Sequence, residues 1–343
     1  MNPRAAIATL SVLLGVIAAS VSAEASPSAS QETTLTIYSG REEKLVKPLY
    51  ERFTRLTGIR LRVRYGDSAE LAATIGEEGR SSPADLFFAQ DAGALGAIAK
   101  DGRLKILAKK TLQKVPSRFR APGKRWVGVS GRARVVAYNT DVVRKASLPK
   151  TIWGYTNPRW KGKIGLPPTN ASFQAFVTAM RLSAGEDRTR DWLTGIKANG
   201  VRFYAKNSHV VSAIANREIL VGFVNHYYLY QLKEEQPNAA VANHFLGGRD
   251  PGALVNAAGI GVLASTKRGA AAQRFVDFLL SREAQIFFTT GPGRAEYPLV
   301  RGVKPRAGLP PLARVQGPKI ALSQLGFGLP RTLELLNEVG YTQ

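Results

Sequence analysis

Two periods of apolar residues alternate near the start of the chain, which predicts strands followed by helices. Residues 35–38 are rich in branched side chains and predict a strand, and the apolar residues of 45–56 recur at helical spacing. Residues 59–65 alternate apolar with basic side chains and predict a second strand, followed by a helix at 68–78 and a buried strand at 85–89. Strands that alternate with helices predict parallel pairing with helical crossovers.

The same alternation returns in the second half of the chain, which predicts an α/β protein with two lobes and a cleft. In open α/β sheets, ligands bind at the carboxyl ends of strands, and we expect Tyr38, Ala89 and Tyr227 just past such ends. The further elements are strands at 134–138, 201–204, 220–224 and 259–263 and helices at 171–183, 208–217 and 270–280, the last with Phe275, Phe278 and Leu279 facing inward.

The first 23 residues have the pattern of an export signal. Arg4 gives a positive start, residues 5–19 are almost wholly apolar, and residues 21–23 are small enough for cleavage. A membrane anchor is the alternative, but the apolar run is shorter than the roughly 20 residues that a spanning helix needs. We therefore expect a cleaved signal peptide at 1–23, a mobile linker at 24–31 and export to the periplasm.

Composition restricts the class of protein. The chain has 343 residues, enough for more than one small core, and no cysteine, so disulfides and thiolate metal sites are excluded. Lys and Arg number 48 against 25 Asp and Glu, a formal charge of +23. These cations are scattered and no nucleic-acid-binding motif is present, so we interpret them as a solvated surface, with attraction of anionic complexes as the second interpretation.

Motifs of enzymes are absent from the sequence. It contains no nucleophile elbow, no glycine-rich phosphate loop after a strand and no HExxH. This absence favours binding over catalysis.

The adjacent pair Tyr227 and Tyr228 is the most unusual feature. Neighbouring side chains on a strand point to opposite faces, so the pair converges on one ligand only if the strand has ended before it. Asn225 and His226 precede the pair and residues 229–232 suit a helix, which predicts a strand-to-helix turn. Phenolate oxygen suits a hard cation such as ferric iron, whereas zinc and copper favour imidazole or thiolate. The alternative is that both tyrosines only pack or lie at the surface.

Carboxylates and a loop provide further candidate ligands. Glu42 and Glu43 follow the first predicted strand, although acids in the first turn of a helix are also favourable without a metal. Gln90 and Asp91 follow the third. Residues 167–172 precede a helix, so their N–H groups could hold a small anion, unless Thr169 or Asn170 acts only as a cap. We interpret the three histidines, His209, His226 and His244, as structural.

Segments along nearly the whole chain after residue 31 resemble the periplasmic ferric-ion-binding proteins of bacterial ABC transporters. The similar segments occur in the same order. They are residues 37–40 (IYSG), 65–67 (YGD), 77–88 (EEGRSSPADLFF), 130–136 (SGRARVV), 160–165 (WKGKIG), 205–208 (AKNS), 225–228 (NHYY), 249–254 (RDPGAL) and 294–299 (RAEYPL).

The resemblance implies a type II periplasmic binding protein fold, in which two discontinuous lobes close over the ligand around a hinge. The N-terminal lobe is expected at 32–132 and 258–308, and the C-terminal lobe at 133–257 and 309–343. It implies a monomer, not an enzyme, that captures ferric iron with a synergistic anion (carbonate, phosphate or citrate) and delivers it to an ABC transporter permease in the inner membrane, with no role for nucleic acid. The alternatives are a binder of an organic anion or phosphonate, with the tyrosines as walls, and an enzyme on the same fold.

The resemblance also implies roles for particular residues. Tyr227 and Tyr228 match the iron-ligating tyrosines of the family. Where some members have a ligating His this chain has Glu42, a candidate third ligand, and where they have a ligating Glu it has Gln90. Phe173 stands near the place where other members have a further tyrosine. The expected anion-binding residues are Asn170, Ala171, Ser172, Asn207 and Asn225, and the residues expected around the ligands are Tyr38, Arg41, Gln90, Asp91 and Arg132.

Overall fold

The computed structural model describes residues 33–342, so the predicted signal peptide (1–23) and linker (24–31) lie outside the described residues. The strands are β1 (Thr34–Ser39), β2 (Arg60–Tyr65), β3 (Leu86–Ala89), β4 (Val127–Asn139), β5 (Ile164–Leu166), β6 (Arg202–Phe203), β7 (Val221–Asn225), β8 (Val241–His244), β9 (Val255–Val262) and β10 (Tyr297–Pro298).

Helices lie between these strands and after them in the sequence. They are α1 (Glu43–Thr57), α2 (Ser68–Glu78), α3 (Ala92–Lys100), α4 (Lys109–Gln113), α5 (Ala171–Ala184), α6 (Glu186–Ala198), α7 (Asn207–Ala215), α8 (Tyr228–Glu235), α9 (Gly269–Leu279), α10 (Arg282–Thr289), α11 (Gln324–Phe327) and α12 (Leu329–Glu338). Among the helices of residues 33–342, none has both the length and the apolar character needed to cross a bilayer.

The strands form one mixed sheet in the order β2-β1-β3-β9-β4-β7-β5-β6, and β8 and β10 also pair with β4. The pairs of β1 with β2 and β3 are parallel, as are those of β5 with β6 and β7, which confirms the predicted crossovers in these two sets. Between them lie β4 and β9, which run antiparallel to each other and to their other neighbours.

The strand predicted at 134–138 is part of β4, and the parallel pairing predicted for it is wrong. β4 is 13 residues long and buried throughout, with a register irregularity between Gly128 and Ser130 against β9. Its first half pairs with β9 and its second half with β7 and β8, so one strand extends through both halves of the sheet. A buried apolar run indicates a strand but does not specify the direction of its partners.

Local signals predicted several boundaries well. α1 ends at Gly58, which has the left-handed φ of 71° that favours glycine, and α2 begins at Ser68 after Asp67, whose side chain accepts the N–H of Ala69. The predicted inward face of α9 is confirmed, since Phe275 and Leu279 are buried and Phe278 packs on the core.

Candidate metal and anion site

The tyrosine pair lies where β7 passes into α8. Tyr227 has helical backbone angles (φ −74°, ψ −18°) and Tyr228 is the first residue of α8, which confirms the predicted strand-to-helix turn. The two ring centroids are 4.4 Å apart and the ring planes differ by 30°. Because the strand has already ended at Asn225, the two phenols lie side by side instead of on opposite faces of the sheet.

The side chain of His226 holds this turn in place by two hydrogen bonds. Its Nδ1 accepts the N–H of Ala133 (3.1 Å), and its Nε2 lies 2.6 Å from the carbonyl oxygen of Ala295, to which it donates. Burial lowers the pKa of His226 to about 4, so the ring is neutral at pH 7 and connects β4 to the segment before β10. This supports the structural interpretation of His226.

The other two histidines lie elsewhere. His244 is half-buried, with its Nε2 3.1 Å from the carbonyl oxygen of Pro149, and His209 is exposed on α7. Neither lines the cavity described next.

A cavity of about 660 Å³ opens beside the tyrosine pair. Its wall brings together residues from six separate parts of the chain: the segments after β1 and β3, the cap of α5, the start of α7, α8 with the residue before it, and the segment before β10. The predicted site residues in this wall are Arg41, Glu42, Gln90, Asn170, Tyr227 and Tyr228; other polar residues in it are Lys44, Lys206, Ser208, Gln231, Arg294 and Glu296.

The environment of Tyr228 favours its neutral form. Burial, and then the adjacent Tyr227 hydroxyl, raise the pKa of Tyr228 far above its usual value. The phenol therefore carries its proton at neutral pH until a positive charge arrives. A cation bound to the two phenolic oxygens would supply that charge.

Glu42 lies at the rim of the cavity. It precedes α1, its side chain is 68% exposed and makes no helix-capping hydrogen bond, and its carboxylate lies 3.9 Å from the Lys44 ammonium. Such a carboxylate can turn inward at little cost. Glu43 is the first residue of α1 and lies 3.3 Å from Lys47, an arrangement typical of an exposed helix end.

The predicted anion loop is held together by one of its own side chains. Asn170 caps α5, and its Oδ1 accepts the N–H of Ser172 (3.0 Å), the hydroxyl of Ser172 (2.6 Å) and the Nδ2 of Asn207 (3.0 Å). Ala171 follows as the first residue of the helix. The capping interpretation is thus confirmed, and an anion at this place would have to take over donors that now serve Asn170.

Arg134 is a candidate site residue that the sequence analysis missed. Its buried guanidinium donates to the Ser172 hydroxyl (3.3 Å), the Asn225 side-chain oxygen (3.4 Å) and the Phe223 carbonyl (2.5 Å), all neutral acceptors. Burial lowers the pKa of Arg134 to about 9, while negative charge on the tyrosine pair would raise it. The signal that could have identified it was a second arginine, two residues after Arg132, directly before the apolar residues Val135, Val136 and Ala137.

Two further buried arginines, Arg41 and Arg132, lie next to the wall residues Glu296 and Gln90. Arg41 forms a buried ion pair with Glu296, which also accepts the Ser130 hydroxyl. Burial opposes ionisation of Glu296, but the positive charges of Arg41 and Arg132 outweigh it and lower the pKa of Glu296. The side chain of Gln90, oriented to satisfy both neighbours, donates to the Gly40 carbonyl (3.2 Å) and accepts from Arg132 (3.1 Å).

Two of the residues expected around the ligands, Tyr38 and Asp91, do not line the cavity. Tyr38 lies within β1 and not past its end, so that expectation is wrong, and its hydroxyl donates to Glu78 (2.7 Å). Asp91 caps α3 by accepting the N–H groups of Gly93 (2.8 Å) and Ala94 (3.1 Å), and burial raises its pKa. Phe173 is buried in the core.

The sequence is similar to a known protein family and to characterised members of it. A family model described as bacterial extracellular solute-binding protein matches residues 81–310. The major ferric iron-binding protein of Neisseria meningitidis serogroup B is 35% identical over 291 residues, 84% of this chain and 87% of that protein.

Two solved structures are also similar. Iron-bound HitA from Pseudomonas aeruginosa has a TM-score of 0.83 at 35% identity, covering 90% of this chain and 99% of that one. The Trichodesmium protein IdiA (FutA) in complex with iron and citrate has a TM-score of 0.78 at 30% identity, covering 90% and 100%. The chain therefore has the type II periplasmic binding protein fold and belongs to the family of bacterial extracellular solute-binding proteins.

Proposed function

We propose that this protein captures ferric iron in the periplasm with the phenolates of Tyr227 and Tyr228 and carries it to an ABC transporter permease. The observation that supports the proposal most strongly is that the two phenols converge in one cavity wall, with their ring centroids 4.4 Å apart. The predicted anion-binding loop contributes Asn170 to the same wall. Within residues 33–342, no group of three His, Cys, Asp or Glu side chains is placed to hold a metal ion, so the proposal assigns the main anionic donors to the tyrosines.

The other donors come from both sides of the cavity. Glu42 turns inward from the rim as a third ligand, and a small anion fills the remaining positions. Asn170, Ala171, Ser172, Asn207 and Asn225 hold that anion by their N–H and hydroxyl groups, and Arg134 lies behind Ser172 and Asn225 as a source of positive charge. The relatives named for ferric iron and for iron with citrate support this choice of cargo and anion.

Lobe closure would then enclose the ion. In the proposal the lobes are 32–132 with 258–308, and 133–257 with 309–343, and β4 and β9 are the strands that pass between them. The closed form presents the surface that the permease recognises, and the protein acts as a monomer without catalysis.

Acid is expected to release the iron. Each neutral phenol that becomes a phenolate gives up one proton, so the complex binds fewer protons than the free protein and the affinity falls as the pH falls. Two such tyrosines give a loss of up to about 100-fold per pH unit between pH 8 and 6, and Tyr228→Phe should reduce this to about tenfold. The measurement is competition for iron with a chelator of known pH dependence; a flat affinity would contradict the proposal.

A further inference from the structure

A basic surface lies far from the cavity. It consists of Lys105, Lys109, Lys110, Lys124, Lys267 and Arg268 around the exposed side chain of Ile106, and we call it the basic patch.

Hydrogen bonds bring its three chain segments together. The backbone N–H of Leu107 donates to the carbonyl of Lys124 (2.9 Å), which joins the segment before α4 to the segment before β4. The Lys105 backbone N–H donates to Val262 (2.8 Å) and its ammonium to the carbonyl of Thr266 (2.8 Å), which joins both to the segment after β9. The three segments of the patch are therefore adjacent in the structure although they are distant in sequence.

Its charge is almost uncompensated. Residues 103–110, 120–125 and 264–269 contain no Asp or Glu. Within the part of the chain that the structure describes, Arg268 alone among the six cations has an ion pair, at 3.5 Å from Asp85. The Asp85 carboxylate is buried and also accepts the N–H of Thr36, so it neutralises little of the surface.

Ile106 gives the patch an apolar centre. It is 66% exposed, the largest fraction among the large hydrophobic side chains of residues 33–342. Its neighbours Leu104 and Leu107 are buried, and they hold the backbone so that Ile106 faces outward.

The patch and the cavity lie at opposite ends of the antiparallel strands β3 and β9. β3 runs from Leu86 to Ala89 and leads to Gln90 in the cavity wall. β9 is antiparallel to it, with Val262 opposite Leu86, so the segments that follow β9 emerge at the other end. A surface bound to the patch would leave the cavity open to solvent.

We propose that the basic patch binds the surface of an anionic phospholipid bilayer, with Ile106 entering the headgroup region and the cavity facing away. Lysine ammonium groups are point charges on flexible stems, and the patch residues do not line the cavity beside the tyrosine pair, which argues against a discrete small anion. Clustered cations around an apolar side chain are the combination that holds proteins at anionic membranes. The proposal does not depend on iron binding.

The test is sedimentation of the iron-free protein with vesicles of phosphatidylcholine containing about one third phosphatidylglycerol. We expect binding to these vesicles, none to pure phosphatidylcholine, and at least tenfold weakening between about 50 mM and about 500 mM salt. The patch variant changes Lys109, Lys110, Lys124 and Lys267 to Gln, and a matched control changes the exposed Lys145, Lys161, Lys233 and Lys304 to Gln, with the same loss of charge.

The patch variant should bind at least about tenfold more weakly than the control, and Ile106→Ser should weaken binding at constant charge. All variants have the same N-terminal segment, so any contribution from residues 1–32 cancels. Equal loss in the patch and control variants would overturn the proposal, as would the absence of wild-type binding at low salt. Unchanged iron colour in every variant would separate this result from the iron proposal.

Discussion

Tyr227→Phe and Tyr228→Phe are each expected to remove most of the visible colour of the iron-loaded protein and to weaken iron binding by more than about 100-fold. The colour arises from charge transfer between phenolate and ferric iron, and each phenolate supplies both a negative charge and a ligand. Phenylalanine keeps the ring that packs against its neighbour, so the fold should be retained.

The matched control is Tyr230→Phe. Tyr230 belongs to the same helix, but its ring lies against Arg306 and does not line the cavity. Absorption spectra and iron titrations of the three variants are the measurements. Colour and affinity that match the wild type in both the Tyr227 and Tyr228 variants would contradict the assignment of these residues as ligands.

A small anion is expected to be an obligatory part of the iron complex. Two phenolates and one carboxylate leave a six-coordinate ferric ion short of donors. Iron added to protein freed of all small anions should bind weakly and with an altered spectrum, and carbonate, phosphate or citrate should restore both. The anion would take the place of the Asn170 oxygen on the donors of Ser172 and Asn207.

Ser172→Ala makes this prediction specific to the loop. It removes a hydroxyl that connects Asn170, Asn207 and Arg134, so a higher anion concentration should be needed to restore the spectrum. Ser183→Ala, near the other end of α5, is the control and should behave as the wild type. Equal affinity and an unchanged spectrum without any anion would mean that the protein alone completes the coordination, and Gln90, which lines the cavity, would then be the next candidate ligand.

Local sequence signals predicted the elements better than their arrangement. The ends of α1 and α2 were predictable because a left-handed glycine and an Asp cap act within a few residues. The antiparallel pairing of β4 was not, because it depends on strands such as β9 that lie more than a hundred residues away in the sequence. The helices α3, α4, α6, α10, α11 and α12 were not predicted.

In the candidate site, too, the features set by neighbouring residues were predictable and those set by long-range packing were not. The tyrosine turn was predictable because the polar residues Asn225 and His226 mark the point where the apolar run of β7 ends. The position of Arg134 was not, because its burial depends on the packing of β4 against β7 and α5. Tyr38 and Asp91 were expected near the ligand from their position at strand ends, but their polar atoms are used within the N-terminal half, on Glu78 and on α3.

Diffraction from crystals of the iron-loaded protein, recorded at the iron absorption edge, shows whether Tyr227 and Tyr228 hold the iron. We expect one anomalous peak in the cavity, at coordination distance from the phenolic oxygens of both Tyr227 and Tyr228, with the density of a small anion between the ion and residues 170–172. A peak bound elsewhere, or one that contacts neither phenolic oxygen, would contradict it.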